Sequence, residues 1–179
     1  MWIKYLIIFI LFYILAILQN TFFVHFSLLG SIPNLVFAFF VVLTFFEQKS
    51  NHYQIIFYAI SAGLFLDFFS YTYFGVSVVL LLFTGFFIKK AQSLLQEKRG
   101  NKFPLSYFLP LFLVSIIVYD LFLKVFLNKF GLNQVFLIFS WSYLAEIVYN
   151  LLFAFIIFSF YKKFFQTNAD NRQLKLFSK

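Results

Sequence analysis

Three acidic side chains stand inside long apolar runs of this sequence: Asp67, Asp120 and Glu146. Carboxylates in such surroundings do general acid–base work, pass protons, or act as hydrogen-bonded structural groups. The company they keep decides between these. Cysteine is absent, so thiolate nucleophiles, thiolate metal sites and disulfides are excluded. His25 and His52 fall in different segments, whereas zinc needs three or four convergent ligands. No nucleophile stands beside a base, and there is no phosphate-binding glycine loop or metal box. Lys124 follows Asp120 by one helical turn and is expected to pair with it at i,i+4. The expectation is therefore structural carboxylates in a protein that is not an enzyme and carries no metal or cofactor.

What holds these groups in place follows from composition. Of the 179 residues, 63% are hydrophobic, 26% aromatic and 11% charged. Soluble domains carry about 25% charged residues, and a folded soluble chain must cover its outside with polar groups. Lipid is therefore the solvent for most of this chain. The net charge of +8 is no nucleic-acid footprint, because the basic residues are few and sit between apolar runs.

The charges divide the chain into three blocks. Between Lys4 and Glu47 lie 42 uncharged residues. As one helix they would extend roughly 63 Å, twice the hydrocarbon thickness of about 30 Å, so the stretch must fold back. The fold-back signals are Gln19-Asn20-Thr21, His25 and Gly30-Ser31-Ile32-Pro33-Asn34. The helices expected are about Ile3–Phe22 and Ile32–Phe46. The second block turns at Ser70–Gly75, between helices at about Tyr53–Phe69 and Phe74–Ile88. The third turns at Asn128–Gln134, between helices at about Leu105–Leu127 and Val135–Tyr161. Pro104 and Pro110 fall near the start of the fifth helix, where proline is easier to accommodate.

Three hairpins place all block ends on one side. Twelve basic residues fall there, from Lys4, Lys49, Lys89 and Lys90 through Lys162 and Lys163 to Lys179, against Lys124 and Lys129 opposite. The positive-inside rule makes the twelve cytoplasmic and puts both termini inside. The runs are too long and lack the alternation of barrel strands. The N-terminal run is too long for a signal peptide and no small-residue cleavage site follows it. The fold class is thus an all-α integral membrane protein with six crossings. Residues 1–165 form one transmembrane domain and 166–179 a short cytoplasmic tail. Trp2, Tyr5, Tyr53 and Tyr161 fall near helix ends, as interfacial aromatics do. Residues 89–102 read as a basic cytoplasmic loop suited to anionic lipid or a cytoplasmic partner.

Measured from the nearest cytoplasmic charge (Lys49, Lys102 and Lys162), Asp67 and Asp120 are 18 residues away and Glu146 is 16. At 1.5 Å per residue these distances are about 24–27 Å, so the three acids are expected in one layer near the outer face. Small and polar residues run in stripes through them: Ala59, Gly63, Asp67 and Ser70; Ser142, Glu146, Asn150 and Ala154; and Ser77, Thr84 and Gly85. Small residues let membrane helices approach closely and polar ones bond across them, so the stripes mark a bundle core, with an outward-open polar site as the sharper alternative.

Gly63-Leu64-Phe65-Leu66-Asp67-Phe68-Phe69-Ser70 followed by Phe74-Gly75-Val76 resembles the signature of the MreD family of rod shape-determining proteins. In that family a G-x-x-x-D-x-x-S run closes the third helix and leads through a short turn to a glycine. Pro33-Asn34 resembles the family's start of helix 2, Asp120 the acidic position of helix 5, and Tyr149-Asn150 with Lys162-Lys163 the last helix. The resemblance covers nearly the whole chain, and each motif is short.

That resemblance implies a non-enzymatic component of the cell-elongation machinery in the bacterial inner membrane, helping to maintain rod shape and lateral cell-wall synthesis. The implied partner is an MreC-like membrane protein and, more loosely, MreB, a SEDS-type polymerase and its transpeptidase. Gly63, Asp67, Ser70 and Gly75 would form a corner needed for bundle geometry. The implied architecture is similar to the substrate-binding subunits of energy-coupling-factor transporters, which makes a solute-binding subunit the alternative. Against it, the first helix has only Ala16 and lacks a small-x-x-x-small pair, and the outer loops are short.

Overall fold

The computed structural model describes residues 2–27, 30–47, 52–69, 73–99, 105–129 and 141–177. They form six helices: α1 (Trp2–His25), α2 (Leu35–Phe46), α3 (His52–Phe69), α4 (Val76–Arg99), α5 (Leu105–Lys129) and α6 (Trp141–Phe177). No β-strand occurs among the described residues.

Five stretches are long and apolar enough to cross a membrane: α1, α3, Val76–Leu94 of α4, α5 and Trp141–Lys163 of α6. The second helix is shorter than the expected Ile32–Phe46. α2 has 12 residues, about 18 Å of helix, and cannot by itself span a core of about 30 Å. It starts at Leu35 rather than Ile32, because a residue before proline is pushed out of helical geometry and Asn34 takes the cap position. Every residue from Leu35 to Phe45 is buried. A helix apolar all round belongs inside. Here α1, α3, α4 and α6 pack against it, and α5 reaches it through rings, Phe37 against Phe112 and Tyr119 and Phe45 against Phe108.

The outer helices make a ring around this axle. α1 packs on α3, α3 on α4, α4 on α5 and α5 on α6. Phe23 against Phe153, 4.9 Å between ring centroids, closes α6 onto α1. Lipid tails are as apolar as phenylalanine, so burying these rings gains dispersion contacts rather than transfer from water. Across the ring, α1 turns Ile3, Leu6, Ile7, Ile10, Ile14 and Leu18 outward, as a lipid-facing helix does.

Three further boundaries differ from expectation. α1 ends at His25 rather than Phe22, and within it the Asn20 amide and Thr21 hydroxyl donate back to the carbonyls of Ala16 and Ile17 and leave the ladder intact. The segment 89–99 is helix rather than loop, since it is composed of good helix formers up to Gly100. α6 continues as helix to Phe177, past Tyr161. Pro110 sits in the second turn of α5, exposed, where it forfeits one bond to the preceding turn.

The bundle thus has a turn end, holding the α1–α2 turn, the α3–α4 corner and the start of α6, and a terminal end, where α1 begins and α2 finishes.

Candidate functional site

The α3–α4 corner is built by two residues one helical turn apart. Gly63 is buried on α3, and a Cβ there would lie 2.5 Å from the Cα and 2.6 Å from the N of Val78 on α4. Only glycine permits this backbone approach. The approach brings Asp67, 4% exposed, up to the N-terminus of α4. Its Oδ2 accepts the Gly75 N–H at 2.6 Å and its Oδ1 accepts the Ser77 N–H at 3.0 Å. The first N–H groups of a helix have no partner within it, and a carboxylate also suits the positive end of the helix dipole. Gly75 takes φ +97°, the left-handed region that favours glycine, and its carbonyl starts α4 by accepting from Val79. Ser70 lies outside the described residues.

From this corner the contacts continue inward. The Tyr119 hydroxyl of α5 donates to the Ser77 hydroxyl at 3.3 Å, and its ring lies 4.8 Å from that of Phe37 on α2. Asp67, Ser77 and Tyr119 therefore link α3, α4, α5 and the axle.

A second clamp holds the entry to α2 against α6. Pro33 is buried. The Asn34 side chain accepts the Phe37 N–H at 2.9 Å as the α2 cap. Its own N–H donates to Oδ1 of fully buried Asn150 at 2.6 Å, and the Asn150 amide donates to the Glu146 carbonyl. About two turns further out, the Ser31 hydroxyl donates to the Ser142 carbonyl at 2.7 Å, and next to Asn150 the Tyr149 hydroxyl donates to the Phe26 carbonyl at 3.2 Å. The expected positions Asn34 and Asn150 thus meet at one clamp, and Glu146 enters it only through its main-chain carbonyl.

Asp120 and Lys124 do not make the expected ion pair. The Lys124 ammonium lies 4.3 Å from the centroid of the Tyr143 ring on α6 instead, a cation–π position that a flexible four-carbon stem can reach. Asp120 is 9% exposed and its buried Oδ2 has no hydrogen-bond partner among the described residues. Lys124 and Glu146 are its electrostatic neighbours. All three acids lie in the turn-end half of the bundle, Asp67 and Asp120 on either side of the Tyr119 link.

Sequence reasoning missed a polar cluster at the terminal end, centred on Glu47 just after α2. Its carboxylate meets Lys4 of α1 at 3.4 Å and accepts from the Tyr58 hydroxyl of α3 at 3.2 Å. Lys89 of α4 donates to the Glu47 carbonyl and to Gln92, which in turn donates to the Phe45 carbonyl at 2.7 Å. Because α2 ends inside the bundle, its last carbonyls need protein donors in place of water, and a lysine also complements the negative end of its dipole. The available signal was an acid directly after a short apolar run, here read only as a block boundary.

These groups cap, clamp and tie helices; none sets a nucleophile against a base. An apolar groove of about 370 Å³ runs along the outside between α1 and α3, lined by Trp2, Ile3, Tyr5, Leu6, Phe9 and Phe57. The family model described as rod shape-determining protein MreD matches residues 2–164, nearly the whole chain. No curated protein and no solved structure matches it.

Proposed function

The chain belongs to the MreD family of rod shape-determining proteins, and from that premise we propose that it acts in the bacterial inner membrane as a non-enzymatic scaffold that binds an MreC-type partner. The family is a structural, shape-determining one and part of the MreBCD system, and the five long apolar helices point to a multi-pass membrane protein. The finer reading is that the rigid bundle holds partner helices of the elongation machinery in register during lateral wall synthesis. MreB, the SEDS-type polymerase and its transpeptidase join through that complex.

The observation that carries this reading is the Asp67 corner. The acid of the family-like motif is spent on the backbone N–H groups of Gly75 and Ser77, which makes it a fixed joint and not a reactive group. The axle position of α2 supports the scaffold over a solute-binding subunit, because side chains from Leu35 to Phe45, all apolar but Thr44, fill the bundle centre. Lys4, Lys89, Lys90, Lys162 and Lys163 at the terminal end, against Lys124 and Lys129 at the turn end, support termini on the cytoplasmic side.

Co-expression of the tagged chain with the MreC-type protein of the same genome, followed by detergent extraction and affinity purification, tests the proposal. Co-elution at a fixed ratio is expected. An MreC-type protein that stays in the flow-through while the folded chain is retained would contradict it.

A further inference from the structure

The Asp120 cluster carries one positive charge too few. Asp120 and Glu146 contribute two carboxylates and Lys124 one ammonium, and that ammonium rests over the Tyr143 ring. The titratable and charged groups around Asp120 are Lys124 and Tyr119 on α5, Glu146 and Tyr143 on α6, and Asp67 on α3 beyond Tyr119. Asp67 does not add to the deficit, since its charge is met by two N–H groups at the start of α4. A buried acceptor without a donor costs roughly 1–3 kcal/mol, and more when it is charged. Asp120 Oδ2 is such an acceptor, buried and without a hydrogen-bond donor among the described residues.

We propose that Asp120 and Glu146 form a site for one small monovalent cation, a proton or an alkali-metal ion, that brings the cluster to neutrality. The shared chemistry is a single compact positive charge between two carboxylates of neighbouring helices. Occupancy ties α5 to α6 and makes the packing of these two helices dependent on that cation. The site stands apart from the scaffold reading: it needs no partner protein.

The test is thermal unfolding of the purified protein in nanodiscs of zwitterionic lipid. Wild type, Asp120→Asn and Glu146→Gln are compared from mildly acidic to mildly alkaline pH in choline chloride. They are compared again at alkaline pH with sodium or potassium chloride replacing choline at constant ionic strength. For wild type the midpoint is expected to rise by about 3 °C or more when the cation is supplied. A rise with acid alone identifies a proton; a rise with sodium or potassium at alkaline pH identifies an alkali ion. Asp120→Asn is already neutral at that position and is expected to be flat in both series. Glu146→Gln removes the other excess charge and is expected to be flat as well, which keeps the test decisive if the first variant folds poorly. A wild type insensitive to both acid and alkali ions would overturn the proposal, as would variants that keep the wild-type dependence.

Discussion

Asp67 Oδ2 accepts the backbone N–H of Gly75, eight residues further on, at 2.6 Å, so the last turn of α3 caps the first turn of α4. The same carboxylate takes the Ser77 N–H with its other oxygen. Replacing it by leucine leaves two N–H groups in an apolar corner without an acceptor. The expected loss is roughly 2–4 kcal/mol of unfolding free energy. Asp67→Asn keeps one acceptor oxygen and the shape, and should fall between leucine and wild type. Reversible unfolding in mixed detergent micelles measures both, and equal stability of all three forms would refute the capping role.

Gly63 and Gly75 are both glycines of the corner but should respond differently to alanine. At Gly63 the added Cβ meets Val78 backbone, which cannot yield without separating α3 from α4. At Gly75 nothing lies within 4 Å of the added atom and the cost is the left-handed φ alone, about 1–2 kcal/mol. Unfolding measurements on the two variants should therefore place Gly63→Ala clearly below Gly75→Ala. The reverse order would mean that the helices can part cheaply.

Asn150→Leu is expected to remove the acceptor of the Asn34 N–H and loosen the entry to the axle, at about 1–3 kcal/mol. Hydrogen exchange at the start of α2 is the specific readout. Faster exchange from Asn34 to Phe37, with the α3–α4 corner unaffected, is the expected pattern. Unchanged exchange there would show that Asn150 does not hold α2.

At the other end, Glu47→Ala should strip Lys4 and Tyr58 of their shared acceptor while the Lys89 bond to the backbone carbonyl of residue 47 persists. Because Lys4 is half exposed, the loss should be modest, about 1 kcal/mol. It should show as fraying of the start of α1 against α3 in exchange experiments, with the turn end unchanged.

Much of this architecture was legible because charges and helix breakers are so rare here that each one marks a boundary. The hairpins, the Gly63–Asp67 corner and the Asn34 entry stand out against apolar filler for that reason. The axle did not, since Leu35–Phe46 is apolar on every side and a lipid-facing helix and a fully enclosed one look alike in such a run. Nor did the Lys124 position over Tyr143, because i,i+4 spacing permits an ion pair without excluding a ring on another helix. Lys89 and Gln92 read as parts of a basic loop, and only packing reveals that they close the last carbonyls of a helix end 42 to 47 residues earlier.

The most direct measurement of the central claim, that a rigid Asp67 corner underlies shape maintenance, is cell width after depletion of the native gene in cells expressing variants from a second copy at equal membrane levels. Rods of normal width are expected with the wild-type chain, wider cells with Asp67→Asn and rounded cells with Asp67→Leu. Normal rods sustained by Asp67→Leu would contradict the account.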